Sequence, residues 1–275
     1  MGLRVNTNIS SIAAQRHLAA VSSRLSGNYQ RLASGLRISS ASDDPAGLGI
    51  SERMRAQLKS LSQASRNGQD GVSLVQTAEG ALNEANSSLN RMRELAVGAA
   101  NGTLNSGDRT TLNAEFQALA SEIDRLANST QFNGVTLLNN ATGTIDIQIG
   151  TESGEVISLS LADTTTSGLG LSVANFDITT VTNASATLAT IDGAIDALTQ
   201  TRGALGASQN RLQTAIRSLQ NAEQNLASAE SRIRDVDVAH ETADLTRNTI
   251  LQQAAVSVLS QANLQPQIAL SLLQG

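Results

Sequence analysis

Apolar positions along this chain recur at two periods, and the change between them divides it. Leu18, Val21, Leu25, Tyr29, Leu32 and Leu36 step by three and four, a heptad-like seam that predicts a helix within residues 3–36. Val5, Ile9 and Ile12 precede it, in a stretch from Val5 to Gln15 that carries no charge. The run GLRISSASDDPAGLGIS then interrupts the pattern. Ser39, Ser40 and Ser42 are candidate N-caps, Pro45 suits a first helical turn, and Asp43 and Asp44 suit the positive end of a helix dipole. A new helix is therefore expected to start near 43–45. Met54, Leu58, Leu61, Ser65, Gly68, Val72 and Val75 carry it onward, and Ala78, Leu82, Ala85, Leu89, Met92 and Ala96 continue it after a phase slip to about Val97. Such a length exceeds that of an ordinary globular helix and points to a coiled coil or extended bundle. Gly68 and Gly71 each cost about 1 kcal/mol inside a helix, so they mark a bend or a close approach.

Gly98 to Asp108 reads as a loop, and Leu112, Phe116, Leu119, Ile123 and Leu126 predict a shorter helix antiparallel to the long one. After NSTQFNG the period falls to two. Ile145, Ile147 and Ile149 alternate with Asp146 and Gln148, and Ile157, Leu159 and Leu161 alternate with Ser158 and Ser160. Gly150 to Glu155 supplies the turn of a β-hairpin with one buried face, which must pack on the helices to be stable. The Thr- and Gly-rich stretch to Asn183 is irregular. From Ser185 a single register runs through Leu188, Ile191, Ile195, Leu198, Leu205, Leu212, Ile216, Leu219, Leu226 and Ile233, with Arg202 and Gln209 as polar occupants. It is expected to run on through RDVDVAHETADLTRN into the tail.

The tail, Asn248 to Gly275, contains no charged residue and no histidine. As a helix it would span about 40 Å. Ile250, Leu251, Ala254, Ala255, Val258, Leu259, Ala262 and Leu264 mostly step by three and four, but Val256 widens the apolar arc beyond what one partner helix needs. Gln252, Gln253, Ser257, Ser260, Gln261 and Asn263 interrupt it, which argues against a membrane span. An amphipathic helix docked on its own domain and a helix buried among copies of itself both fit. The fold expected is mainly α: a long antiparallel coiled-coil-like helical bundle with one small β-hairpin, the N- and C-terminal helices paired.

Composition narrows function. One Tyr and three Phe are too few for the usual aromatic-rich globular core, and helix-on-helix seams suit the Leu, Ile and Ala that remain. No cysteine is present, so disulfides and thiolate metal sites are excluded. Net charge is −5, and Lys59 is the single lysine among 19 basic residues, none of them in a basic run, so nucleic acid is not an expected partner. The N-terminal MGLRVNTNIS lacks the apolar core of a signal peptide, and a chain that leaves the cell would need another route. His17 and His240 are too isolated for a metal site. Asp43–Asp44 is explained by a helix start, and Gly168-Leu-Gly170 lacks the third glycine of a dinucleotide loop. No catalytic, cofactor-binding or metal residues are assigned, and no cofactor or membrane partner is expected.

NTNISSIAAQRHL, RLASGLRISSASDDPAGLGISERM, NGQDGVSLVQTAEGALNEANSSLNRMRELAV, QFNGVTLLN, LGASQNRLQTAI, NLASAESRIRDVDVAHETADLTRNTILQQAAVSVLSQAN and the closing LSLL resemble bacterial flagellin, in that family's order. Flagellins commonly carry large variable outer domains between the hairpin and the returning helix. Here only about Ser172 to Asn183 holds that place, a minimal form.

The resemblance implies a structural protein that self-assembles into the flagellar filament for motility, a secreted homopolymer exported unfolded by the flagellar type III apparatus. It implies an export chaperone on the C-terminal segment, a filament cap and hook-junction proteins as partners, and a terminal domain, 1–42 with 236–275, lining the inner tube. Residues 43–235 would form the surrounding bundle with its hairpin. Val5, Ile9, Ile12, Ile250, Leu251, Ala254, Val258 and Leu259 are the expected assembly residues. Arg91, Leu95 and Glu115 match the stretch by which some flagellins contact a host innate-immune receptor. Leu270, Leu272 and Leu273 match the terminal leucines read by an intracellular sensor. Gly98 stands where well-recognised members carry a bulkier polar residue, and the chain ends Gln274-Gly275 instead of a basic residue. A hook–filament junction protein shares the SDDPA-like turn, though QFNGVTLLN favours flagellin, and a secreted coiled-coil binding module is the remaining alternative.

Overall fold

The computed structural model describes residues 7–139, 143–171 and 176–274, the stretch 267–274 by backbone alone. The elements are α1 (Ile9–Ser34), α2 (Pro45–Ala99), α3 (Ser106–Ser129), β1 (Gln131–Phe132), β2 (Val135–Thr136), β3 (Thr144–Gln148), β4 (Val156–Ser160), α4 (Val181–Arg234) and α5 (Val238–Gln274). They group into two compact units, Met1–Ala56 with Asn225–Gly275 and Gln57–Gln224.

Side chains at the helix starts explain the boundaries. Pro45 opens α2 as expected, but the cap is Asp44, whose Oδ1 accepts from the backbone N–H of Ala46 and Gly47. Ser39 and Ser40, two of the expected caps, instead donate backbone N–H and hydroxyl hydrogen bonds to Asp43 Oδ2. Asn105 and Asp108 form a reciprocal capping box that starts α3 inside the segment read as loop. Helix α4 begins ahead of Ser185, where the Thr180 hydroxyl accepts from the Asn183 N–H.

The Gln57–Gln224 unit holds a continuous hydrophobic cluster. Leu82, Leu89 and Met92 of α2, Phe116 and Ile123 of α3, Ile191 and Leu198 of α4, and Ile157 and Leu159 of β4 all contribute. Phe116 meets Phe176 with ring centroids 5.0 Å apart, a tilted aromatic pair. The expected hairpin is β3–β4, in antiparallel register Ile145↔Leu159 and Ile147↔Ile157. Its β4 residues Ile157 and Leu159 are buried, with Leu161 just beyond the strand, while Ile145, Ile147 and Ile149 are half-buried against the same cluster. Gly68 and Gly71 mark a close approach: a Cβ at Gly68 would stand 2.9 Å from Ile216 Cγ1, and one at Gly71 would stand 3.2 Å from Ile147 Cγ1. A second, shorter hairpin, β1–β2, is turned by Asn133 and Gly134, both at positive φ.

The last long helix does not run unbroken into the tail. Arg234 ends α4 and Val238 starts α5, with Asp237 Oδ1 accepting from the N–H of Ala239 and His240. The break is held by the other interruption of the chain. Leu36 and Asp235 form an antiparallel bridge, Val236 N–H donates to Gly35 O and Arg37 N–H to Arg234 O. The Arg37 guanidinium adds two donors to Ile233 O. Backbone groups freed where two helices stop thus satisfy one another.

Candidate assembly surface

Helices α1 and α5 pack antiparallel, and each offers the other a narrow stripe. On α1 the covered residues are Ser11, Ala14, Leu18, Val21, Leu25, Asn28 and Leu32, stepping three and four without a break. On α5 they are Glu241, Leu245, Asn248, Gln252, Ala255, Leu259, Ala262 and Pro266, with the same spacing. At one end Asn8 Nδ2 donates to Ala262 O at 2.7 Å and the Ser11 hydroxyl to Asn263 Oδ1 at 2.7 Å.

At the other end the seam is polar. Asn28, 2% exposed, donates from Nδ2 to Glu241 Oε1 at 2.6 Å and accepts at Oδ1 from Asn248 Nδ2 at 2.9 Å. Arg31 Nε donates to the same Glu241 oxygen at 2.9 Å, and Glu241 is 7% exposed. Tyr29, placed on the seam by its apolar character, is 56% exposed and points away from it. Near the break, Arg234 Nη1 lies 2.7 Å from Glu52 Oε1, a hydrogen bond that holds the Glu52 carboxyl below its ordinary range.

The expected assembly residues fall mostly off this seam. Ile250 is 60% exposed, Val258 and Ile9 are each 58% exposed, and Ile12, Leu251 and Ala254 are also open to water. Leu259 is half-buried on the seam, and Val5 lies outside the described residues. Val256 and Leu264 add to the exposed apolar face. The wide arc of the tail therefore splits into a thin stripe used within the chain and a broad face left open.

Of the expected receptor residues, the structure joins two. Arg91 Nε donates to Glu115 Oε1 at 2.9 Å, and Nη1 donates to Glu94 at 3.0 Å, raising the Arg91 pKa, with Glu115 the larger cause. Leu95 is only 5% exposed and belongs to the core, so it is not presented beside them. Arg93 reaches α4 through Asp192 at 2.7 Å, so these arginines tie α2 to its neighbouring helices. The side chains of Leu270, Leu272 and Leu273 lie outside the described residues. Among the described residues no acidic, His or Cys cluster could hold a metal ion, and no helix is long and apolar enough to cross a membrane.

The polar residues Asn28, Glu241 and Asn248 escaped the hydrophobic pattern. Their signal is positional: each sits in an unbroken three-four register, Asn28 between Leu25 and Leu32, and Glu241 and Asn248 on either side of Leu245.

Residues 5–142 match the model of the bacterial flagellin N-terminal helical region, and residues 188–273 that of the bacterial flagellin C-terminal helical region. The chain is 48% identical over 270 residues to a flagellin of Halalkalibacterium halodurans, covering 98% of this chain and 99% of that one. It is 41% identical over 304 residues to a flagellin of Bacillus subtilis, covering 99% and 100%. Among solved structures, Bacillus cereus flagellin superposes with a TM-score of 0.51 at 33% identity, over 60% of this chain and 94% of that one. A putative flagellar hook-associated protein of Vibrio parahaemolyticus shares the fold, with a TM-score of 0.59 at 15% identity over 70% of this chain and 100% of that one.

Proposed function

The chain belongs to the bacterial flagellin family and is a structural subunit of the flagellar filament, and from that premise we propose that copies join through the open apolar face of α1 and α5. The observation that carries the proposal is the exposure of Ile9, Ile12, Ile250, Leu251 and Val258 on helices whose own pairing covers few large apolar side chains. Ala14, Leu25 and Ala262 are the buried apolar residues of that pair among the described residues. Burying a Leu contributes about 1.5–3 kcal/mol, whereas ordering backbone costs about 1–2 kcal/mol per residue. The terminal pair therefore gains its helical order on assembly, when neighbouring copies cover the rest. Circular dichroism should show higher helix content in filaments than in monomers, and equal content would sink this step.

Residues 1–42 with 236–275 line the inner tube in this proposal, and 43–235 form the layer around it. The absence of charge after Arg247 suits close packing of many copies, where an unpaired ion would be costly. Deleting residues 248–275 should abolish polymerisation while the Gln57–Gln224 unit stays folded; polymerisation that persists would exclude the tail as the assembly element.

The filament lies outside the cell. We further propose that the chain reaches it unfolded through the flagellar type III apparatus, with an export chaperone on the tail, and is added at the distal end under a cap, joined to the hook by junction proteins. Host innate-immune contact would fall on the Arg91–Glu115 pair, with Leu95 supporting the helix beneath, and an intracellular sensor would read Leu270, Leu272 and Leu273. We assign no catalytic role.

The fold shared with the hook-associated protein leaves a junction role as the second reading. Electron microscopy of the purified protein separates the two, long tubes supporting a filament subunit and failure to self-polymerise supporting a junction.

A further inference from the structure

We propose that Asn101 converts itself to isoaspartate, and that Arg109 directs the conversion to that product. The sequence holds three Asn–Gly steps, Asn67–Gly68, Asn101–Gly102 and Asn133–Gly134. A glycine after asparagine leaves its own nitrogen, unhindered by a Cβ, able to attack the asparagine side-chain carbonyl. The three steps differ in what holds them. Gly68 lies inside α2, where its N–H belongs to the helix, and the Asn67 amide is pinned between Gln63 and Gln148 O. Asn133 is fixed at φ 49° between the paired strands β1 and β2. Asn101 lies in the exposed corner between α2 and α3, and no hydrogen bond engages the Gly102 N–H among the described residues. Asn101 Oδ1 accepts from the Thr103 N–H at 3.2 Å, closing a ring that contains both the Gly102 nitrogen and Asn101 Cγ. The reacting atoms are thereby held within one tight turn, and the Thr103 N–H is aimed at the oxygen that gains charge on attack.

In the first step the Gly102 nitrogen bonds to Asn101 Cγ, the Cγ–Nδ2 bond breaks, and ammonia leaves with the Gly102 proton, giving a cyclic imide. In the second, water adds to one of the two imide carbonyls. Addition at Cγ opens the ring to aspartate. Addition at the backbone carbonyl carbon of residue 101 breaks its bond to the Gly102 nitrogen, which regains a proton. The main chain then runs through Cβ and Cγ, and the old backbone carbonyl becomes a free carboxylate. Arg109 decides between the two. Its Nη2 donates to Asn101 O at 2.8 Å and its Nε to Ala99 O at 2.8 Å. The residue is 9% exposed, and its guanidinium has no carboxylate partner among the described residues. A cation on the Asn101 oxygen withdraws electrons from that carbonyl and stabilises the carboxylate the same oxygen becomes. The buried cation thus gains the counter-charge it lacks. The added main-chain atom falls beside Gly102 and Thr103, both exposed, where the loop has room. A subunit stays in its filament once added, so isoaspartate accumulates with filament age.

The test incubates the soluble full chain at mildly alkaline pH and follows peptides spanning Asn67, Asn101 and Asn133 by mass spectrometry, with electron-transfer fragmentation separating isoaspartate from aspartate. Asn101 should convert ahead of the other two, and conversion no faster than at either overturns the site. The isoaspartate-to-aspartate ratio at position 101 should be about tenfold higher in the folded chain than in the same chain unfolded in urea, where Arg109 has left the carbonyl, a change equivalent to about 1.4 kcal/mol. A folded ratio within about twofold of the unfolded one overturns the role of Arg109. R109K keeps the charge without the planar fork, so it should bring the folded ratio down toward the unfolded value, and an unchanged ratio overturns that role as well. Should R109K fail to fold, the comparison within the parent decides. G102A sets a Cβ beside the attacking nitrogen, where nothing lies within 4 Å and φ is not left-handed. It should therefore fold as the parent does and lose ammonia several-fold more slowly; loss at the parent rate overturns the mechanism. No polymerisation is needed, so the result stands apart from the assembly surface.

Discussion

Ile250→Ala separates assembly from folding. Ile250 is 60% exposed on α5 and takes no place in the α1–α5 stripe. The substitution removes three carbons, each contributing about 0.8 kcal/mol when taken from water. Scaled by the fraction left open for neighbouring copies, the loss is about 1.4 kcal/mol per subunit, or about a tenfold rise in critical concentration for polymerisation. The thermal unfolding midpoint of the Gln57–Gln224 unit should not move, because its core lies elsewhere. Leu82→Ala is the converse control. Leu82 is fully buried in that core, so its truncation should destabilise the unit by about 2–5 kcal/mol, read by thermal or denaturant unfolding. Critical concentration is measured by sedimentation of filaments seeded at a series of subunit concentrations. Ile250→Ala chains that polymerise at the parent's critical concentration, or that lose as much unfolding stability as Leu82→Ala, would refute the reasoning.

Phe116→Ala should destabilise the same unit by about 3–5 kcal/mol in urea unfolding, since Phe116 is fully buried and loses its contact with Phe176. Arg109 donates from Nε to Ala99 O and from Nη2 to Asn101 O, closing the C-terminal end of α2, so Arg109→Ala should cost about 1–3 kcal/mol in the same assay. Arg109→Lys should rescue little of it, because an ammonium cannot reproduce the planar fork. The Thr179 hydroxyl, the Thr179 N–H and the Asn183 amide hold the Asp177 carboxyl below its ordinary value of 3.8, against the opposing effect of burial. A lowered folded pKa makes the stabilising effect complete above 3.8 and progressively lost as pH falls through the folded value. Asp177→Asn should therefore be less stable than the parent near neutrality, with the gap closing in acid; urea titrations from about pH 6 to about pH 2.5 that show a constant gap would contradict it.

Regular periods were legible and their interruptions less so. The three-four spacing of Leu82, Ala85, Leu89 and Met92 predicts α2, and the alternation around Ile147 and Leu159 predicts β3–β4, because burial on one face leaves its period in the chain. The break at Asp235–Asp237 has no proline or glycine to announce it; it exists because a distant segment, Gly35–Arg37, supplies hydrogen bonds that replace those of a helix. The β1–β2 hairpin carries the Asn-Gly turn in its sequence, but its strands are too short to show a period. At the assembly surface, apolar character identified Ile250 and Val258, and their openness follows from a seam built of smaller and polar residues. Asn28 was hidden because a hydrophobicity pattern prefers its neighbour Tyr29, whereas the seam required a group that could bond Glu241 and Asn248 at once.

A reconstruction of the assembled filament by electron microscopy tests the central claim most directly. Ile9, Ile12, Ile250 and Val258, open on the single chain, should be buried against neighbouring copies while Asn28 and Glu241 remain paired within one chain. A filament in which those four side chains still face water, with the contacts between copies made elsewhere, would contradict it.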